Sequence, residues 1–492
     1  MDYLLGIDLG TTNLKALLID REGKVVAQAS AAYPTQTPQP GWSEQDPKVW
    51  WKRLCELLPS VIGKVRPTDI SAVGLSGQMH GAVFVDGQGE LLRPCIIWVD
   101  QRAIQEAEEI EDRIGWDVLR TTVGNRSLPD FTLPKILWIQ KNEPELFRRT
   151  EKILLPKGYI RFRLTGKFYM EVADGSSALL VDIYKRTWAE EILTELQVPL
   201  SKLPPLCEST AIVGKITPTA AKQTGLAEGT PVIAGAGDQQ AGALGSGVIK
   251  PGVVSATIGT GGQVYTTAES PVVEPEGRVH TFCQCLPDKW HIMGAMKTAG
   301  LALSWFHRNV LADQITYEKI DEWAEQAEPG SNGLIFLPYL TGERTPHLNP
   351  DAKGVFFGLT LEHNLAYLAR ALMEGVAFGM RDSLELLKEM DLPIEEIRLA
   401  GGGAKSRRWS QIQADIYGMR VYKAPVKDQS AYGAALLAGL GVGFYPELDR
   451  LPQRLFEAEK RIDPIERNVQ AYNQLHKRYK SLYRALEDLF TM

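Results

Sequence analysis

Apolar and polar positions follow two rhythms along this chain. Short apolar runs, closed off by Gly, Pro or Asp, alternate with longer stretches in which apolar residues return every third or fourth position. The runs are too short for helices and read as strands; the longer stretches read as amphipathic helices. Strands are predicted at residues 3–7, 16–19, 72–75, 83–85, 153–155, 232–234, 253–258 and 335–337. Helices are predicted at 47–58, 133–141, 366–387 and 408–417. Strands and helices mixed throughout predict an α/β protein. Near the end, Leu475, Tyr479, Leu482, Leu486 and Leu489 form one apolar helix face, expected to dock on the second half of the chain, with a homodimer contact as its other use.

The pattern also repeats on a coarser scale. "GIDLGTTNLKALLID" (6–20) is an apolar run, a Gly turn with two Thr, and a second apolar run; "SATIGTGGQVYTT" (255–267) has the same design. Between them "GVIKPGV" (247–253) reads as a linker. Two similar lobes are therefore expected, residues 1–247 and 248–492, with a ligand cleft between them. A chain of 492 residues exceeds one ordinary core, which agrees with that division.

Bulk properties narrow the chemistry. A formal charge of -6 and a pI near 5.8 argue against a nucleic-acid binder but allow a local basic pocket for a phosphorylated ligand. "MDYLLGID" has no basic region ahead of a long apolar stretch, and no apolar run approaches the roughly 20 residues that span a bilayer. No membrane partner and a cytoplasmic location are expected. The five cysteines include one close pair, Cys283 and Cys285, with no second pair to complete a metal site, so they read as reduced thiols.

There is no G-x-x-x-x-G-K-[ST] loop, no protein-kinase catalytic loop and no H-E-x-x-H, so any grip on ATP is of another kind. "VIAGAGDQQAGALGSG" (232–247) runs from a strand through glycines to Asp238 at a predicted helix start, and Ala241, Gly242 and Ala243 leave the first turn uncluttered. Asp238 is either an ordinary helix cap or a carboxylate facing a ligand held at the helix amides. In the opening hairpin, Asp8, Thr11 and Thr12 are either a polar surface turn or a turn that hugs phosphate with Asp8 toward a metal. The glycines of "IGTGGQ" (258–263) and "LAGGGAKSRRW" (399–409) either form tight turns or leave room for a flat purine or ribose. Gln78, Met79 and His80 lie in a loop where they could line a sugar site or simply satisfy one another. Trp98, Asp100 and Arg102 form either a sugar-contact set or a core-edge ion pair.

Taken together, these stretches resemble the FGGY family of carbohydrate kinases, within the sugar kinase, Hsp70 and actin superfamily. "FTLPKILWIQKN" (131–142) and "GGGAKSRRWSQIQADIYG" (401–418) are similar to its two signatures, and the likeness covers nearly the whole chain. The resemblance implies two actin-like (ribonuclease H-like) domains around a cleft, with ATP and Mg2+ and a small sugar as partners. It implies Asp238 as the catalytic base and Asp8 near the metal. It further implies Thr11, Thr12, Lys15, Thr260, Gly261, Gly402 and Gly403 at the nucleotide, and Gln78, Met79, His80, Trp98, Asp100 and Gln239 at the sugar. "PGWSEQDPKVWW" (40–51), "GQMHGA" and "FLPYLTGERTPHLNPDAKGVFFGL" (336–359) are most similar to members acting on ketopentoses, which implies D-xylulose as acceptor. One departure matters: Gln239 follows the catalytic Asp where such members usually carry Asn, which keeps glycerol or another polyol open. An ATPase of the actin or Hsp70 type, with no sugar substrate, is the reading from another class.

Overall fold

The computed structural model describes residues 2–424, 426, 428–445 and 461–491. Its first sheet contains β1 (Tyr3–Leu9), β2 (Asn13–Asp20), β3 (Val25–Ala32), β4 (Ile70–Gly77), β5 (Ile212–Lys215), β6 (Pro231–Ile233) and β7 (Ala236–Gly237). The order is β5-β6-β4-β1-β2-β3, with β7 also paired to β4. The second sheet contains β8 (Gly252–Ile258), β9 (Gly262–Ala268), β10 (His280–Cys283), β11 (Trp290–Met296), β12 (Ile394–Gly401), β13 (Val421–Lys423) and β14 (Arg461–Ile462), in the order β10-β11-β9-β8-β12-β13-β14. Each sheet has an antiparallel three-strand meander whose first strand is joined by two parallel strands and then an antiparallel edge. Two sheets of matching order and direction are the repeat that the two hairpin sequences predict.

The helices that bear on the site are α1 (Pro47–Ile62), α2 (Thr132–Asn142), α3 (Asp238–Gly245), α4 (Leu365–Glu389), α5 (Arg407–Tyr417), α6 (Gln429–Gly441) and α7 (Glu466–Leu486). Strand alternation explains how the first sheet is clad. Leu5, Ile7 and Leu9 of β1 and Leu14 and Leu18 of β2 bury against Trp50, Leu54 and Leu58 of α1. Leu4, Leu17 and Ile19 point the other way, against Ala431, Ala435 and Leu436 of α6. Asp8 and Lys15 continue this second face, so they emerge at the head of α6.

The hydrophobic pattern did not foretell α6. Its sequence, QSAYGAALLAGLG, is apolar all round because it lies between the first sheet and α3 and has no wet face to show a period. It packs backbone to backbone: a Cβ on Gly6 or Gly74 would collide with the carbonyl of Ala431 or Ala434. α6 thus carries the far end of the chain back to the first lobe. The other predicted strands and helices are found, most of them one to a few residues longer, and all five cysteines are unpaired. Among the described residues no helix is long and apolar enough to cross a membrane.

Candidate active site

The first site residues share one transverse row of the first sheet. Asp8 in β1 stands beside Lys15 in β2 and Ser76 in β4, and Ser76 in turn stands beside Ala236 in β7. β1 and β4 are parallel, so this row lies at their carboxyl ends, where open α/β sheets place ligands. Ser76 Oγ donates to Asp8 Oδ1 at 2.8 Å. Lys15 Nζ lies 2.9 Å from Asp428 Oδ1, at the head of α6, and Ser430 Oγ donates to the Asp238 carbonyl at 2.9 Å. Residues 428 and 430 therefore complete the row from the opposite end of the chain.

Two residues beyond Ala236, Asp238 opens α3. The N-cap is Gly237, with no side-chain cap bond, so the carboxylate of Asp238 is not occupied as a cap. Burial pushes its pKa up to about 8, helped by the charges of Asp8 and Asp174 and partly offset by hydrogen bonds from Gln239. Burial likewise raises the Asp8 carboxyl, opposed by Lys15 and by the Ser76 hydroxyl. Burial works against the Lys15 charge, but its bond to Asp428 and the field of Asp8 hold its pKa above the ordinary value. Two desolvated carboxylates, one close enough for its charge to raise the other, are a poor arrangement for stability and a suitable one for hard cations and protons.

The turn that follows β1 is braced by side chains. Trp98 Nε1 donates to Thr11 Oγ1 at 2.8 Å, and Gln45 Nε2 donates to the Thr11 carbonyl at 2.8 Å. Thr12 is exposed, its Oγ1 accepting from Asn13 Nδ2 at 2.9 Å. Gln78 is buried and donates to Gln45 Oε1 at 2.8 Å, so it supports this turn from behind. Asp100 is fully buried: its Oδ2 lies 2.7 Å from Arg102 Nη2, and its carboxylate also accepts from the Ser43 backbone. Trp98, Gln78 and Asp100 thus each have protein partners, Asp100 in an ion pair with Arg102.

Met79 packs against Gly237, immediately before Asp238; a Cβ there would lie 2.7 Å from Met79 Cγ. His80 has φ 65°, a left-handed conformation uncommon outside glycine. Its Nδ1 is 2.7 Å from the Ser177 carbonyl, and burial, with the nearby Lys135 charge, drops its pKa well below the ordinary value. The ring is therefore neutral with Nδ1–H donating, which leaves Nε2 as an acceptor for a hydroxyl. Lys135, on α2, fixes this loop by donating to the carbonyls of His80, Asp130 and Phe131. Lys135 was not among the residues expected at the site. A lysine amid Leu133, Ile136 and Leu137 on a buried helix is the signal that could have revealed it.

In the second lobe the corresponding turn is bare backbone. Gly259, Thr260, Gly401 and Gly402 are exposed. The Thr260 carbonyl accepts from Ala299 and Leu301, both at 3.0 Å. A Cβ on Gly261 would sit 2.6 Å from the Met296 carbonyl, so glycine is required there by the neighbouring strand. Gly401 has φ 77° and Gly403 lies against Ile258, whereas Gly402 meets nothing nearer than 3.8 Å and opens to solvent.

Two α/β lobes of matching sheet order thus carry a charged row on one and a glycine rim on the other. Residues 3–245 match the FGGY family of carbohydrate kinases, N-terminal domain, and residues 254–442 its C-terminal domain. The chain belongs to the FGGY family of carbohydrate kinases. It is 38% identical to the xylulose kinase of Escherichia coli, covering 98% of this chain and 99% of that one. It is 31% identical to the gluconokinase of Bacillus subtilis, over 99% of this chain and 97% of that one. Among solved structures, a ligand-bound xylulose kinase from Lactobacillus acidophilus matches with a TM-score of 0.93 at 28% identity, over 99% of both chains. This chain is an ATP-dependent sugar kinase, with a sugar and ATP as its small-molecule partners.

Proposed function

We propose that this kinase transfers the γ-phosphoryl group of ATP to the terminal primary hydroxyl of a ketopentose, D-xylulose foremost, giving D-xylulose 5-phosphate and ADP. The observation that carries the reading is Asp238: a half-buried carboxylate at a helix head, free of capping duty, raised to about 8, and set between Met79 and the Asp8 row. The full-length likeness to xylulose kinases supports the choice of sugar.

In this mechanism Asp238 accepts the proton of the attacking hydroxyl as the oxygen bonds to the γ-phosphorus, and the β–γ bridging oxygen leaves with ADP. Met79 supplies an apolar wall, and His80 Nε2 accepts from a sugar hydroxyl. Thr11, Thr12 and Lys15 hold the phosphates from the first lobe. Thr260 and Gly261 hold them from the second, and Gly402 leaves the flat approach that adenosine needs, with Gly403 packed on Ile258 to shape the loop. The residues present fit a magnesium ion, since Asp8 offers hard carboxylate oxygens whose charge burial disfavours and a cation would restore. Magnesium bound by Asp8 would neutralise phosphate charge. Closing the lobes excludes water that could otherwise take the phosphoryl group.

A coupled-kinase screen of pentuloses, hexuloses, glycerol and gluconate tests the reading. D-Xylulose is expected to have the highest kcat/KM. A higher value for glycerol or a hexulose overturns the choice of sugar, and ATP turnover that ignores every sugar overturns the acceptor chemistry. Gln239→Asn, which shortens the side chain by one methylene, is expected to change ketopentose efficiency by about tenfold or less.

A further inference from the structure

We propose that the ion pair between Asp130 and Arg344 sets the charge of the acceptor, selecting a neutral sugar over one that carries a carboxylate. This rests on the sugar-site reading of the His80 loop given above.

The partners come from opposite halves of the chain. Asp130 stands just before α2, and Arg344 lies in the loop after the strand Ile335–Pro338. Arg344 Nη2 pairs with Asp130 Oδ2, and Gln101 Nε2 donates to Asp130 Oδ1 at 2.9 Å. The pair adjoins the sugar loop on three counts. Lys135 Nζ donates to the carbonyls of both Asp130 and His80. The Phe131 ring meets the His80 ring edge-on, with centroids 4.7 Å apart. The Arg344 charge is also among the groups that lower the His80 pKa.

Other charged groups nearby do not take Asp130's place. Glu343 accepts from the backbone N–H groups of Lys297 and Arg344, and burial pushes its carboxyl up to about 8, so it is mostly uncharged at neutral pH. Lys135 is spent on three carbonyls, with burial drawing its pKa down to about 7. His280, drawn down to about 4 by burial, is neutral. Among the described residues, Asp130 is the carboxylate in ion-pair contact with Arg344.

A guanidinium in a partly desolvated cleft is a strong carboxylate receptor, because its planar fork matches both oxygens. Here that receptor is already filled from within the protein. An acceptor carrying a carboxylate would have to displace Asp130 and would meet its negative charge; a neutral ketose meets a pair that sums to zero. The same arrangement with the acid removed would offer a free guanidinium at the sugar loop.

The test is Asp130→Asn, which keeps the shape and removes the charge. With kcat/KM measured for D-gluconate and D-xylulose, the gluconate-to-xylulose ratio is expected to rise by about tenfold or more over the wild type. The gain should shrink as salt is added, and adding Arg344→Met should abolish it. A ratio within about twofold of the wild type in a folded Asp130→Asn protein overturns the proposal. If that variant does not fold, Arg344→Met alone decides: it leaves an unpaired acid, so the ratio must fall, and an unchanged ratio overturns the assignment. A wild type that prefers a neutral hexulose or polyol overturns the ketopentose reading and leaves the charge assignment standing. A wild type that prefers gluconate overturns both.

Discussion

The two sheets share one topology and put opposite chemistry at equivalent places. In the first, the row beside the hairpin turn reads Lys15–Asp8–Ser76; in the second, the row at the same distance from its turn reads Gln263–Thr257–Ala400. Strand pairing is the same, yet every charge has gone. Thr257 has neutral hydroxyl partners, Ser255 Oγ at 3.2 Å and Tyr265, where Asp8 accepts from the Ser76 hydroxyl and lies in the field of Lys15. The difference teaches that a duplicated fold can divide labour without changing shape. In the mechanism proposed above, one copy supplies charge for the transferred group, and the other supplies open backbone for the rest of the nucleotide. The division is reinforced by α6, which delivers Asp428 and Ser430 to the first row alone.

The sharpest way to break this comparison is to remove the charge the second lobe lacks. Asp238→Asn is expected to slow kcat by about a hundredfold or more while sugar and ATP binding persist, because a general base is lost and its shape is kept. Near-normal turnover would take Asp238 out of the mechanism. The paired exchange comes next. Asp8→Ala is expected to lower kcat/KM for magnesium-ATP at least about tenfold, with sugar affinity in the absence of nucleotide retained. Thr257→Ala, at the equivalent place, should stay within about threefold. Equal losses from both would mean that the two rows do the same work.

The third effect is a displacement along the pH axis. A base acts when deprotonated, so kcat/KM should rise with pH as Asp238 loses its proton near pH 8. The Asp8 charge is one cause of that raised value, so Asp8→Ala should move the rising limb to lower pH; an unmoved limb would uncouple the two acids. The smallest effects belong to the glycine rim. Gly401→Ala places a side chain at φ 77° against the Ile258 carbonyl, and should destabilise the fold by about 1–3 kcal/mol, read as a lower Tm. Gly402→Ala has open space, so its Tm should hold while the KM for ATP rises severalfold. A Tm loss in Gly402→Ala as large as that in Gly401→Ala would make the rim purely structural.

Local pattern was enough for much of this. Strand and helix periods mark β1, β2, β8, α1, α4 and α5, and the repeated hairpin predicts two alike lobes, because period and turn chemistry are properties of neighbouring residues. Gly237 before Asp238 and the run of glycines from Gly401 are legible for the same reason. What the chain order hides is everything contributed across it. α6 has no face to read because both its sides are buried, so the return of Asp428 to Lys15 is invisible until the sheet and helix pack. Asp100 and Gln78 have the composition of site residues, and only packing shows their protein partners, Arg102 for Asp100 and Gln45 for Gln78. Lys135 is a lysine among apolar helix neighbours, and only packing shows that it donates to three carbonyls. The raised pKa values of Asp8 and Asp238 are likewise not properties of those residues alone. They arise from desolvation and from neighbouring acids, Asp428 for Asp8 and Asp8 with Asp174 for Asp238, which come together only when segments remote in sequence pack.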